Sequence, residues 1–580
     1  MSNSEIYHRR LDGFYSQLLG SLEGECDFTA AGLALYTSDA SNYRQIPLGV
    51  VFPKSTEDIV NTTTLCRSYN LPVLMRGAGT SQNGQCVNEA VIMDCSRHLN
   101  QVRHIDVQSC SAWVDPGVIC DALKDQAEAY GLTFGPDPGT HSCCTLGGMI
   151  GNNSCGPHSM LAGKTVENVL ELEILTSDGV RFWVGPTSDK AFKAIIGKGG
   201  RQAEIYSELK AISDQYAEHI RQRYPDIKRR VSGYNLDQLL PENNFNIARA
   251  LVGSEGTCVC VLQAKLKLIE NPKYTKLIVL GFKDIFVAGD SVSDILPFSP
   301  IAMEGLDWTI IGGLLDRNLK REEVALLPEG RAWLLVELTA HTTQALDQLC
   351  QEFSVAMKAS THVQSLIRID CDTQTQAIWS IREQGASATS MSLNPDDPDP
   401  IVGWEDVAVD PMQLGNYLRE FSALIDRYGY TSSIYGHFGD GCIHARITFD
   451  TRTAKGVSQW RKFSVEIAEL VVRFGGSLSG EHGDGQAKAE FLPIMFGPEL
   501  MQAFKRFKQA WVPELRMNPG KLIDAYKMHE NLRYPPDYKI PDITTTLNFT
   551  EDMGGFSRAT ERCIGMGKCR AQSGAMCPSY

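Results

Sequence analysis

The sequence predicts an α+β protein built from at least two domains, and three observations lead there. At 580 residues the chain exceeds what one hydrophobic core usually organises. Its 43% hydrophobic and 21% charged residues are those of an ordinary globular protein. Short β-branched runs alternate with helical periods between glycine-rich loops, the pattern of mixed sheets covered by helices.

Residues 1–45 are polar and read as a helical leader. Strands begin after Ile46 with Gly49–Phe52, followed by a helix from Thr56 to Tyr69 that has Ser55 at its N-cap and Asp58 three residues on. Further strands are expected at Val73–Met75, Ala90–Asp94 and Ala112–Val114, and a helix near Ile119–Tyr130. Phe134 to Gly156 is rich in glycine, proline and asparagine and reads as one long loop, a composition that is usually functional inside a compact domain. A first domain covers 46–272, and a second α/β region covers 273–525. Residues 526–555, rich in Tyr, Pro, Asp and Thr, read as a linker, and 556–580 open a further unit.

The net charge, 55 − 69 = −14, leaves no basic surplus to neutralise phosphates and argues against a nucleic-acid partner. No run approaches the roughly 18 apolar residues of a membrane span, and the N-terminus has no apolar core resembling a signal peptide. Seventeen scattered cysteines suit a reducing compartment. A cytoplasmic protein is expected, with peripheral membrane contact through an electron acceptor left open.

Arg76-Gly77-Ala78-Gly79-Thr80-Ser81-Gln82-Asn83-Gly84 follows an apolar strand and reads as a phosphate cradle. Its three glycines allow positive φ and close approach of the backbone to an anion, with Thr80 and Ser81 as further donors. Taken alone, such a loop is equally a plain turn, and its spacing is not that of a nicotinamide-type Rossmann site.

Tyr435-Gly-His437-Phe-Gly439-Asp-Gly441-Cys-Ile-His444-Ala-Arg446 reads as a turn leading into a strand over Cys442–Phe449. A period of two puts Cys442, His444, Arg446 and Thr448 on one face, and the glycines let His437 fold back beside His444. Gly480-Glu481-His482-Gly483 offers a carboxylate to complete a two-histidine, one-carboxylate metal set, with His482 left as a general base. Hydrogen-bonded histidines in turns are the competing reading.

These motifs resemble a known family. Arg76–Gly84, Phe134–Thr140, Thr145–Gly156 and Gly253–Thr257 resemble the FAD-binding domain of flavoproteins of the vanillyl-alcohol-oxidase (PCMH) type. His437–His444, Glu481-His482 and Asn518-Pro519-Gly520-Lys521 resemble the C-terminal substrate domain of its D-lactate and D-2-hydroxyglutarate dehydrogenase branch. The resemblance implies a two-subdomain FAD-binding domain followed by an α/β FAD-linked oxidase C-terminal domain. It implies that Arg76, Gly77, Ala78, Gly79, Thr80, Ser81 and Gly84 hold the FAD diphosphate. Pro136, Thr145, Gly147, Gly148, Asn152, Asn153, Gly253, Glu255 and Gly256 would then line or adjoin the cofactor. No histidine occurs in the Arg76 loop, so noncovalent FAD is expected, with Cys86 and the Cys143-Cys144 pair leaving a covalent link open.

The same resemblance implies a divalent metal, zinc, on His437, His444 and Glu481, with His482 as the base. Trp379-Ser-Ile-Arg382 resembles the family's substrate-carboxylate motif, which selects Arg382 as a clamp. The chain departs from the family's 2-hydroxyglutarate pattern: Ala386 replaces a threonine, Trp404 stands for a lysine, and Arg446 replaces an asparagine. A cation has thereby moved, and Arg446 is placed to meet a distal carboxylate, which favours D-2-hydroxyglutarate over D-lactate. The implied activity is oxidation of a D-2-hydroxy acid, with electrons passed to an iron–sulfur module, a quinone or an electron carrier.

The tail resembles the junction of large bacterial proteins that fuse this flavoprotein to an iron–sulfur module. Cys563, Cys569 and Cys577-Pro578 match the start of a 4Fe–4S ferredoxin-like motif, with Met566 in its second cysteine slot. A truncated chain is expected. Two other classes remain open from the residues: a metal-dependent hydrolase on His437, His444 and Glu481, and a non-catalytic FAD electron-transfer subunit.

Overall fold

The computed structural model describes residue 11 and residues 13–392, 397–404, 406–536, 538–541, 543–546, 548–550, 555–561 and 563, without the side chains of 386–388. The first sheet contains β1 (Glu25–Asp27), β2 (Gly49–Phe52), β3 (Val73–Arg76) and β4 (Val91–Asp94) in the order β1-β2-β4-β3. Strands β2, β4 and β3 run parallel, and β2 and β4 are buried throughout, as continuous apolar text requires of a parallel sheet. Helix α1 (Thr56–Ser68) makes the crossover. Its Ser55 cap accepts from the Asp58 N–H at 3.2 Å. Strand β1 falls inside the stretch expected to be a helical leader and pairs antiparallel with β2, so only part of that stretch is helical.

A second, antiparallel sheet contains β5 (Val102–Asp106), β6 (Ser111–Val114), β8 (Val169–Leu175), β9 (Arg181–Val184) and β10 (Cys260–Lys267), ordered β5-β6-β10-β8-β9. The two-residue strands β7 (Leu132–Thr133) and β11 (Ile269–Glu270) form a small ribbon beside it. Helix α2 (Cys120–Glu128) falls within the predicted span. The stretch expected as one loop, 134–156, instead contains helix α3 (Leu146–Asn152), capped by Thr145. Its three glycines have poor helix propensity, but Leu146, Met149 and Ile150 are buried on one side, and packing overrides propensity.

The third sheet is antiparallel and six-stranded: β12 (Thr275–Phe282), β13 (Ala302–Asp307), β14 (Ala332–Thr339), β15 (Val363–Ile369), β16 (Ser432–Gly436) and β17 (His444–Ile447), ordered β15-β12-β14-β13-β16-β17. Strands β14 and β13 are central, and helix α4 (Asp372–Ala388) carries Trp379 and Arg382, with Arg382 paired to Glu304 of β13. Among the described residues, no helix is long and apolar enough to cross a membrane.

Candidate functional site

The glycine loop and helix α3 meet through one contact. The Thr145 hydroxyl accepts from the Gly148 N–H at 3.2 Å, and a Cβ on Gly77 would lie 2.1 Å from that oxygen. Only glycine allows the two elements to abut. Arg76, Gly77, Ala78, Gly79, Thr80, Ser81, Thr145, Gly147, Gly148, Asn152, Glu255 and Gly256 line one cavity of about 410 Å³. Gly139 and Gly151 also line it, and a Cβ at either would meet no atom within 4 Å. This room beside bare backbone fits a flavin dinucleotide whose diphosphate is held by N–H groups.

Several predicted cofactor residues support the wall from behind. The Arg76 guanidinium turns into the protein, donating to the Cys86 carbonyl at 2.7 Å and the Ser38 carbonyl at 2.9 Å. It lies over the Tyr36 ring, so it braces the loop from within. Gly84, Pro136, Asn153 and Gly253 do not line the cavity. Gly84 has φ +85°, and a Cβ there would strike Tyr43. The Pro136 carbonyl accepts the Cys120 thiol at 3.5 Å. Asn153 ends α3 in the left-handed region, its Oδ1 accepting from Val166. The Gly253 N–H donates to Ile150. Glu255 accepts N–H bonds from Asp484 at 2.7 Å and Gly485 at 3.0 Å, tying the first domain to the Gly480–Gly485 loop. Burial, reinforced by nearby Asp484, pushes the Glu255 carboxyl above its ordinary range.

At the other end of the same cavity stand His437, His444, Glu481, His482, Arg382 and Arg446. Strand β16 ends at Gly436, a tight turn occupies Phe438–Asp440, and β17 returns with His444 opposite Tyr435. The His437 and His444 ring centroids come to 5.1 Å. The observed strand is shorter than the predicted one, because Cys442 is drawn off to pair with Ala408. Glu481 Oε2 lies 2.8 Å from His437 Nε2 and 3.3 Å from His444 Nε2. The three ligand-type atoms all lie within 4.8 Å of one another. Tetrahedral zinc with bonds of about 2.0–2.2 Å separates its ligands by roughly 3.3 Å. This buried donor set fits a divalent metal.

Charges beyond that cluster orient it. Glu304 on β13 takes His437 Nδ1 at 2.5 Å and Arg382 Nε at 2.7 Å. Burial opposes ionisation of Glu304, yet His437 and Arg382 hold its carboxyl well below the usual range. Burial lowers His444 to about 4, so its ring is held neutral, as a ligand must be. Arg382 also packs over the Tyr435 ring at 4.7 Å. The wholly buried Arg229 donates to Gly156, Ser159, Cys155 Sγ and Asp440, and its Nη1 lies 3.8 Å from Glu481 Oε2. Asp406 fixes the Glu481-His482 turn, accepting N–H bonds from both residues at 3.1 and 2.7 Å. It is neutralised in turn by buried Lys488. His482 stacks on His444 at 5.0 Å.

Sequence reasoning had no signal for Glu304 or Arg229, which stand far along the chain from every motif, nor for Lys488, three residues past the Gly480–Gly485 loop. Asp406 was visible only as the residue after Glu405. His158 was missed as well. Its ring joins Asp137 of the first domain at 2.5 Å to Glu337 of β14 at 3.2 Å, on the cavity wall. Cys563 is a half-buried free thiol, whereas Cys569 and Cys577 lie outside the described residues.

Comparisons with known proteins agree with this architecture. Residues 47–185 match the FAD binding domain family, and residues 271–522 match the FAD linked oxidases, C-terminal domain. The chain is 29% identical over 574 residues to a D-2-hydroxyglutarate dehydrogenase of Pseudomonas putida, covering 96% of this chain and 56% of that protein. It thus spans about half the length of that relative. It is 26% identical to a D-lactate dehydrogenase of Archaeoglobus fulgidus, covering 82% of this chain and 91% of the relative. Among solved structures, a 4-ethylphenol oxidase from Gulosibacter chungangensis superposes with a TM-score of 0.61 at 13% identity, over 89% of this chain and 98% of that one. At that identity the likeness is one of fold.

Proposed function

We propose, taking as premise that the chain belongs to the FAD-linked oxidases, that it oxidises a D-2-hydroxy acid to the 2-oxo acid. One observation carries the reading: the glycine cradle and the His437, His444, Glu481 cluster open into one cavity. D-2-Hydroxyglutarate is favoured over D-lactate, because two arginines, Arg382 and Arg446, line that cavity. One suits the 1-carboxylate and the other a distal carboxylate. The printed names of the relatives include both acids, D-2-hydroxyglutarate and D-lactate.

FAD, when bound in the cradle, supplies the acceptor for the hydride leaving Cα. A divalent ion on His437, His444 and Glu481 would polarise the 2-hydroxyl and lower its pKa. Arg382 orients the acid and sets which face of Cα is presented. His482, set beside the cluster by Asp406, takes the hydroxyl proton. The buried walls exclude water from that proton transfer. In this reading the electrons leave for an iron–sulfur module, a quinone or an electron carrier.

Anaerobic mixing with the D and L forms of 2-hydroxyglutarate, lactate and malate tests the proposal. Rapid bleaching of the flavin absorbance is expected with D-2-hydroxyglutarate, slower bleaching with D-lactate, and none with the L acids. Bleaching by no 2-hydroxy acid would overturn it.

A further inference from the structure

Beyond this reading, we propose that Cys120 and Cys144 are a paired thiol site that closes to a disulfide on exposure to peroxide and restrains the cofactor-binding loop. Ile119 and Thr145 form an antiparallel bridge, so the residues one step outward, Cys120 and Cys144, stand opposite each other. The Cys120 N–H donates to the Cys144 carbonyl at 3.0 Å, which fixes that register. A single backbone bond of that length keeps the two Cα atoms within roughly 7 Å, near the upper end of the roughly 4.4–6.8 Å that a disulfide spans. The Cys120 thiol donates to the Pro136 carbonyl at 3.5 Å, with the Cys144 side chain beside it. Both thiols are free and buried.

The position gives the pair a consequence. Cys144 lines the cavity and directly precedes Thr145, the residue on which the glycine loop and helix α3 abut. The segment between the two cysteines includes Asp137 to His141, all on the cavity wall. A bond from Cys144 to the first turn of α2 would close that segment into a ring and oppose its local opening. A solute in the cavity meets Cys144 first, whereas Cys120 lies behind it with no exposed surface.

The chemistry balances with hydrogen peroxide or an alkyl hydroperoxide as the oxidant. Cys144 sulfur attacks the peroxide, forming an S–O bond, breaking the O–O bond and releasing water or the alcohol. Cys120 sulfur then attacks the sulfenic sulfur, forming S–S and breaking S–O, with release of water. The two thiol protons leave in those products, and two electrons pass from the thiols to the peroxide. A dithiol reductant reverses the change.

The test uses the full chain with its cofactor. After brief hydrogen peroxide treatment, free thiols are alkylated, the protein is digested without reductant, and peptides are identified by mass spectrometry. A Cys120–Cys144 linked peptide that dithiothreitol abolishes is expected. Separate alkylated Cys120 and Cys144 peptides, or linkage of either to Cys143, would overturn the pairing. Cys120→Ser, a small buried change, is expected to leave Cys144 as a sulfenic acid trapped by dimedone; an unlabelled Cys144 would count against the order of attack. Flavin release is then followed by fluorescence, an arm that also rests on the flavin reading. It is expected to slow severalfold in the oxidised wild type and to stay unchanged in Cys120→Ser. Equal release before and after oxidation would defeat the restraining role while the linked peptide stood. A protein that carries no flavin would instead fail the functional reading.

Discussion

Glu304 Oε1 lies 2.5 Å from His437 Nδ1, and this contact aims the opposite ring nitrogen at Glu481. Such a partner fixes the tautomer and rotation of a ligating histidine and raises its basicity. Glu304→Gln keeps the shape but weakens that hold and leaves Arg382 without its ionic partner. Metal affinity, measured by chelator competition, is expected to fall about 10–100-fold. Unchanged affinity would remove Glu304 from the site.

His482→Ala deletes the base without touching the cradle. Substrate-driven flavin reduction under anaerobic conditions is expected to slow about 10²–10⁴-fold, with the flavin still bound. A rate within a few-fold of wild type would assign the proton to another group.

Asp406 and Lys488 are an ion pair with no exposed surface beneath the Glu481-His482 turn. Asp406→Asn strands the ammonium and weakens two N–H bonds to the turn. Removing one partner of a buried pair costs about 3–5 kcal/mol, so the melting temperature is expected to drop by several degrees. Double replacement, Asp406→Asn with Lys488→Met, is expected to recover part of that loss. No recovery would mean that the pair is not the source.

His158 joins the two domains through Asp137 and Glu337. Burial disfavours its cation, but the two carboxylates raise it to about 11 from an ordinary value of 6.5. The folded protein therefore binds the proton more tightly than the unfolded chain. The resulting stability is complete below pH 6.5 and fades as pH rises towards 11. The ring keeps 32% of its side-chain surface exposed, so solvent screens part of the effect. His158→Gln is expected to cost about 1–3 kcal/mol at pH 6 and progressively less at pH 9 to 10 in urea titrations. A cost that does not change with pH would contradict the clamp.

The glycine cradle and the metal-type cluster were legible because each is local text: glycines at Gly77 and Gly79, and two histidines, His437 and His444, flanking one turn. Backbone needs and strand alternation are read at short range. The bracing role of Arg76 was not legible, since nothing nearby reveals that its guanidinium reaches back to Ser38 and Tyr36. Helix α3 was hidden by its glycines and is held by tertiary burial of Leu146 and Ile150. Glu304 and Arg229 are single charges on other elements, brought to His437 and Glu481 only by the pairing of β13 with β16 and by the domain junction. Their roles arise in the packed structure and leave no local trace.

The most direct measurement strips the divalent metal by chelation from flavin-loaded protein and follows flavin absorbance on anaerobic addition of D-2-hydroxyglutarate, before and after zinc is restored. A single site shared by cradle and cluster predicts no bleaching in the stripped protein and recovery with about one equivalent of zinc per chain. Bleaching at the same rate with and without metal would show that His437, His444 and Glu481 take no part in the oxidation.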